Sequence, residues 1–171
     1  MRLDITRILC GEVDSLPFEM QIPADGDEGF SYFTEWGVTF KGDISVKGEV
    51  KNNGGYMSMR VRSSVEYGTL CARCLKEMAR TFEHGFEKSI AVQLTNEEND
   101  DFILIDGGCV DVASAVCEEF LLSFPLKELC GESCRGLCPK CGKNLNEGDC
   151  ACESDGDPRM AKLKALLSDY E

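Results

Sequence analysis

Apolar and polar residues alternate over much of the first ninety positions. Val38, Phe40, Ile44, Val46 and Val50 fall on even numbers, with Lys41, Asp43, Ser45, Lys47 and Glu49 between them. A period of two marks a strand with one buried face. Asn52-Asn53-Gly54-Gly55 follows, and Asn and Gly tolerate the positive φ of a tight hairpin turn. Met57, Met59, Val61, Val65 and Tyr67 then resume the alternation, which predicts a long antiparallel hairpin. Phe82, His84, Phe86, Ile90, Val92 and Leu94 carry it onto a third strand, so Cys71 and Cys74 fall in the turn of a second hairpin. Weaker alternation predicts short strands over 3–9 and 16–22, the second ending at Pro23. The stretch ADGDEG, 24–29, reads as a loop.

The period changes after the acidic loop TNEENDD and the short apolar run Phe102 to Ile105. Asp111 reads as a helix N-cap. Ala113, Val116, Cys117, Phe120, Leu121 and Phe124 then follow helical spacing, and Pro125 stops the run. Near the C-terminus, Asp157-Pro158 offers a cap and a first-turn proline, with Met160, Leu163, Leu166 and Leu167 striping a short final helix. No internal repeat stands out. The expected fold is α+β: a curled or barrel-like antiparallel sheet, one packed helix, a cysteine-rich zinc-binding extension and a short C-terminal helix. The expected division is a core of 1–128 and an extension of 129–171.

Cysteine chemistry changes this picture most. Six of the eleven cysteines fall between Cys130 and Cys152, in CGESCRGLCPKCGKNLNEGDCAC. A cluster this dense is a disulfide framework, a metal site or a redox device. Zinc takes four ligands tetrahedrally, and a CxxC turn lets two sulfurs converge on one ion. Cys138 and Cys141, with Gly142 relieving the turn, can be closed by Cys150 and Cys152. Cys71/Cys74 and Cys130/Cys134 are then two half-tetrahedra that a second ion would join across the fold. An exchange, with Cys134 entering the distal group, is compatible with the same spacings. Eight thiolates for two structural zinc ions is the reading carried forward. Such sites are closed, with no open position for catalysis. A redox CxxC is the alternative for Cys71/Cys74, but that motif usually opens a helix, and here it lies between strands. Cys10, Cys109 and Cys117 have no partner spacing and read as buried small hydrophobes. His84, the single histidine, lies on the apolar side of its strand and reads as a core residue rather than a ligand.

Charge narrows the partners. The formal net charge is −13, concentrated where 96–132 carries ten acids against the single base Lys127. The cysteine loops are locally basic through Arg73, Lys76, Arg135, Lys140 and Lys143. An acidic body with basic loops is ill suited to indiscriminate phosphate binding but can dock a local RNA feature or hold a basic protein. No run nears the roughly 20 apolar residues of a membrane span, and the N-terminal MRLDITRILCGEVDSL lacks the apolar core of a signal peptide. A cytoplasmic protein is expected, in a compartment where clustered thiols bind metal more often than they pair. No Ser/His/Asp set, P-loop or dinucleotide fingerprint is present, and no small-molecule substrate is expected.

Several of these residues resemble a known family. Cys71-Ala-Arg-Cys74-Leu75, Phe124-Pro125-Leu126, the stretch Cys134-Arg-Gly-Leu-Cys138-Pro-Lys-Cys141-Gly-Lys-Asn-Leu145-Asn146 and Asp157-Pro158-Arg159 are similar to landmarks of the YceD-like family of large ribosomal RNA subunit accumulation proteins. The resemblance runs from about Val38 to Leu167. It implies a non-enzymatic bacterial or organellar protein needed for accumulation of 23S rRNA, and no ligand; with the charge pattern, the expected partner is 23S rRNA or a pre-50S particle, or a basic ribosomal protein. It implies no catalytic residues.

Overall fold

The computed structural model describes residues 1–24, 30–92 and 102–152. Its centre is one mixed sheet in the order β2-β4-β5-β6-β7, formed by β2 (Ser15–Ile22), β4 (Ile44–Asn53), β5 (Tyr56–Leu70), β6 (Glu77–Ala91) and β7 (Phe102–Leu104). The two-residue β3 (Thr39–Phe40) pairs with the far end of β5. A separate ribbon joins β1 (Arg2–Asp4) to β8 (Cys109–Asp111). The sheet is α+β in its setting and antiparallel in most of its pairs. It stays open, with β2 and β7 at opposite ends, so it is not a closed barrel.

The hairpins follow from local rules. Gly54 and Gly55 adopt φ of 63° and 96°, and Asn52 Oδ1 accepts the Gly55 N–H at 2.8 Å. Two successive positive φ values make the turn whose twist matches its strands. Pairing then runs from Asn53↔Tyr56 to Ser45↔Ser64 without a slip. The even residues Ile44, Val46 and Val50 and the odd residues Met59, Val61, Val65 and Tyr67 share the buried face. Across that face lies α3 (Val112–Ser123), burying Val112, Ala113, Ala115, Val116, Cys117 and Phe120. Asp111 caps it, accepting from Ala113 N at 3.1 Å and Ser114 N at 3.3 Å. At one end of this layer Phe30, Phe33, Phe82, Phe120, Phe124 and Tyr67 pack ring to ring, with Tyr67 and Phe124 centroids 4.9 Å apart. Edge-on contacts of this kind add to the burial of the rings themselves.

Three expectations need correction. The alternation over 3–9 is not one strand: β1 ends at Asp4 and a helical turn, α1 (Thr6–Leu9), follows. Asp4 Oδ1 accepts the Thr6 N–H at 2.8 Å and turns the chain, which puts Ile5 and Ile8 on one buried side. Strand β6 stops at Ala91, leaving Val92 exposed, and β7 runs parallel to it, Ser89↔Phe102 to Ala91↔Leu104. Of the three cysteines outside the two sets, Cys10 is exposed and Cys109 half-buried, so only Cys117 among them is a core thiol. Leu94 and the expected helix at 157–167 lie outside the described residues. A five-residue helix not foreseen from the pattern, α2 (Ser31–Glu35), plugs the aromatic end with Phe33.

The core row of β4 is interrupted at Gly48, between Val46 and Val50. A Cβ there would lie 2.5 Å from the Phe18 ring and 2.6 Å from the Arg60 carbonyl oxygen on β5. Gly→Ala in a strand ordinarily helps, through lower backbone entropy in the unfolded chain. Here a backbone atom blocks the new methyl, so Gly48→Ala is expected to destabilise by about 1–3 kcal/mol in denaturant titration.

Candidate metal centre

The longest strand pair, β5 with β6, extends past the aromatic core to a tip of its own. Beyond Tyr67 the apolar packing is a small separate cluster of Cys71, Cys74 and Cys134 with Met78, Leu129, Cys130 and Leu137 around it. At the tip Cys71 N–H donates to the Lys76 carbonyl at 2.9 Å and Leu75 N–H to the Cys71 carbonyl at 2.9 Å. The chain leaving α3 is stopped by Pro125 and laid against this tip. Ala72 N–H donates to the Glu128 carbonyl at 2.8 Å, and the Tyr67 hydroxyl donates to the Glu128 carboxylate at 3.0 Å. Burial and that carboxylate push the Tyr67 hydroxyl up to about 12. Cys130 and Cys134 are thereby delivered to Cys71 and Cys74.

The four sulfurs lie within 4.8 Å of one another, with Cys71–Cys134 at 3.8 Å and Cys74–Cys130 at 3.6 Å. Bonded sulfurs would be about 2.05 Å apart, and all eleven thiols are free. Sulfurs at about 2.3 Å from a tetrahedral ion stand about 3.8 Å from each other. The set therefore fits a four-coordinate thiophilic ion. Cys138, Cys141, Cys150 and Cys152 make a second set of the same dimension. The spacing left the place of Cys134 open, and the geometry puts it in the first set.

The protonation pattern explains why a cation suits these sets. Burial opposes ionisation of Cys71, but N–H groups of Arg73, Cys130 and Cys74 outweigh it and hold the thiol at about 6. N–H groups of Cys141 and Lys140 hold Cys138 at about 6. The neighbouring sulfurs of Cys134 and Cys74, with burial, push Cys130 up to about 12, and Cys141 does the same to Cys152. Each set favours ionisation of one sulfur and opposes it at another, because sulfurs in contact share hydrogen bonds and like charges among them repel. A divalent cation removes that conflict.

The two turns are one design used twice, which the sequence reading missed. Cys138 N–H donates to the Lys143 carbonyl at 2.8 Å and Gly142 N–H to the Cys138 carbonyl at 2.9 Å, repeating the bonds of the first turn. The matching signal is short: CARCLK against CPKCGK, with a base at the third place and lysine at the sixth. They are joined rigidly. Leu137 N–H donates to the Arg73 carbonyl, Leu145 N–H to the Gly136 carbonyl, and Asn146 Nδ2 to the Cys134 sulfur at 3.4 Å.

The five basic residues are all exposed around the two sets. Their side chains do different things. Arg73 donates to the Cys134 carbonyl at 2.8 Å, Arg135 pairs with Asp149, and Lys143 donates to the Asp149 carbonyl at 2.8 Å. Lys76 has no side-chain partner among the described residues. His84 is stacked between Phe82 and Phe86. Its Nε2 faces both Glu119, at 3.3 Å, and Ser123, at 3.4 Å. A relay needs acid and hydroxyl on opposite ring nitrogens, so this trio is packing chemistry.

A family model described as Large ribosomal RNA subunit accumulation protein YceD matches residues 58–167. That is more than half of the chain. The chain belongs to the YceD family. The match takes in both cysteine sets, β5 from Ser58 onward, and the whole of β6 and α3. Neither the curated proteins nor the solved structures contain a match. No described helix is long and apolar enough to cross a membrane.

Leu75 and Gly142 hold the same place in the two YceD turns, at φ of 59° and 73°. Glycine adopts that conformation freely, whereas other residues bear a cost of about 1–2 kcal/mol. The Leu75 side chain is 59% exposed, so packing returns little. Leu75→Gly is expected to raise stability by up to about 1 kcal/mol, read from the midpoint of thermal unfolding.

Proposed function

We propose that this member of the YceD family is a non-enzymatic assembly factor for the large ribosomal subunit that contacts 23S rRNA, free or in a pre-50S particle, through a zinc-ordered tip. The observation carrying the reading is the joining of the β5–β6 tip to the C-terminal segment by one four-sulfur set, which holds exposed cationic turns in fixed relation. The all-thiolate donor sets suit zinc, which would bind Cys71, Cys74, Cys130 and Cys134 at one site and Cys138, Cys141, Cys150 and Cys152 at the other. The ion would supply charge compensation and order. With all four positions taken by the chain, neither site leaves room for a substrate. The organisation that follows is a core of 1–128 carrying an extension of 129–171, in a cytoplasmic protein.

A second reading, an acidic holder of a basic ribosomal protein, is favoured by the net charge of −13. Equilibrium binding across a salt series separates the two. Fragments of 23S rRNA are expected to bind with a salt slope that Lys76→Glu with Lys140→Glu lowers by about 1.4, from two lost single-strand phosphate contacts. Zinc content, measured on the same preparations, should not change. Binding of a basic ribosomal protein with no affinity for the RNA would replace the first reading by the second.

Metal removal should not affect the two sites equally. Cys74 and Cys130 are 56 positions apart, whereas Cys141 and Cys150 enclose a short local loop. Closing the longer loop restrains the unfolded chain by about 1.5 kcal/mol more. Cys74→Ser is therefore expected to lower the melting temperature more than Cys141→Ser, and a chelator should abolish the difference.

A further inference from the structure

Beside the tip, away from the sulfurs, runs a surface groove. One part, a hollow of about 420 Å³, is lined by Trp36, Val38, Leu70, Phe124, Pro125 and Leu126. A second, of about 450 Å³, continues from it and shares Gly37, Thr69 and Leu70. Both volumes fall within the range of ligand pockets, about 300–1,000 Å³. Three of the apolar wall residues are open to solvent: Trp36 is 48% exposed, Leu70 47% and Leu126 81%. The Trp36 ring is braced edge-on by buried Phe33, with centroids 5.4 Å apart. Its orientation is therefore set by the core while one side stays open.

The groove is also where unengaged cations lie. Lys127 lines the first part and Lys41 the second, and neither side chain has a hydrogen bond or ion pair among the described residues. Lys41 lies along the floor at Gly68, where a Cβ would stand 3.8 Å from its Cε. Two acids share the groove. Glu128 is engaged by the Tyr67 hydroxyl and stands 3.9 Å from Arg80, and Glu77 is open. By contrast, Arg73, Arg135 and Lys143 at the turns are held by the chain's own oxygens. An aromatic plane fixed beside apolar walls, with a lysine at each end, is how single-stranded nucleic acid is held: bases stack and phosphates meet cations.

We infer that this groove is a single-stranded RNA subsite in which an unpaired base stacks on Trp36 while Lys41 and Lys127 take flanking phosphates. The inference rests on the RNA reading above and adds the place and form of contact. A basic protein segment would prefer the apolar walls as well, but two open lysines would repel it. The bases of structured RNA would first have to leave a helix, so the fitting target is a loop, bulge or processed end.

Trp36 is the single tryptophan of the chain, so its emission reports on this groove alone. The probe is a short, labelled, single-stranded oligoadenylate RNA, titrated against the full zinc-loaded chain. Saturable quenching of the tryptophan, at the same midpoint as the change in label anisotropy, is expected. Trp36→Leu keeps the apolar bulk and removes the plane, and it should weaken binding roughly 5- to 150-fold. Lys41→Glu with Lys127→Glu should lower the salt slope by about 1.4 while the tryptophan signal remains available. Circular dichroism and zinc content guard against misfolding.

Binding by the wild type that leaves the emission unchanged, or that Trp36→Leu matches, would overturn the inference while leaving rRNA contact at the turns intact. Quenching by a basic apolar peptide, with no effect of the oligonucleotide, would assign the groove to protein and overturn it as well. Failure of both the oligonucleotide and the rRNA fragments would remove the function it rests on.

Discussion

Four sulfurs hold this molecule to its shape. Cys71 and Cys74 stand at the end of the longest hairpin, where the apolar core has run out, and Cys130 and Cys134 arrive from the far side of α3. Cys134 in turn takes the Arg73 guanidinium on its carbonyl and the Asn146 amide on its sulfur. The second turn, CPKCGK, hangs from those contacts. A protein that built this end from aliphatic side chains would need more chain, because small clusters bury too little surface to offset their entropy. Thiolates around an ion would concentrate the same restraint in four residues.

Much of this was legible because it is local. Side-chain alternation is a property of neighbouring residues, so Val46, Val50, Met59, Val61 and Tyr67 announced their face without reference to the rest. The Asp111 cap and the Pro125 stop are equally local, and α3 spans Val112–Ser123 between them. The cysteine spacings announced two groups of four, although membership of Cys134 needed the fold.

What stayed hidden depends on distance or on brevity. Four residues, Thr6–Leu9, are too few to display a helical period. The parallel pairing of β7 is set by the route of the chain into it, which no pattern within Phe102–Leu104 records. The repeated turn escaped because only cysteine and basic places recur, while Leu75 stands where Gly142 stands. The groove draws Trp36, Leu70 and Leu126 from three separate segments. No pattern within any one of those stretches joins them.

One property of the sheet bears on how the protein survives in a crowded solution. Among the described residues β7 covers β6 only from Ser89 to Ala91, so no strand pairs with the outer edge of β6 from Glu77 to Lys88. An unpaired edge of that length invites another chain to add itself. Its solvent-facing side chains include Glu77, Glu83 and Glu87, and Gly85 interrupts them, so an arriving strand meets like charge and a gap in the row. The guard weakens toward the tip, where Met78 and Ala79 precede Arg80 and the sulfurs take over. If the sulfur sets hold zinc as proposed, its loss would therefore do more than loosen the tip. It would free the bare end of an edge strand next to eight reduced thiols, a combination that favours cross-linked aggregate.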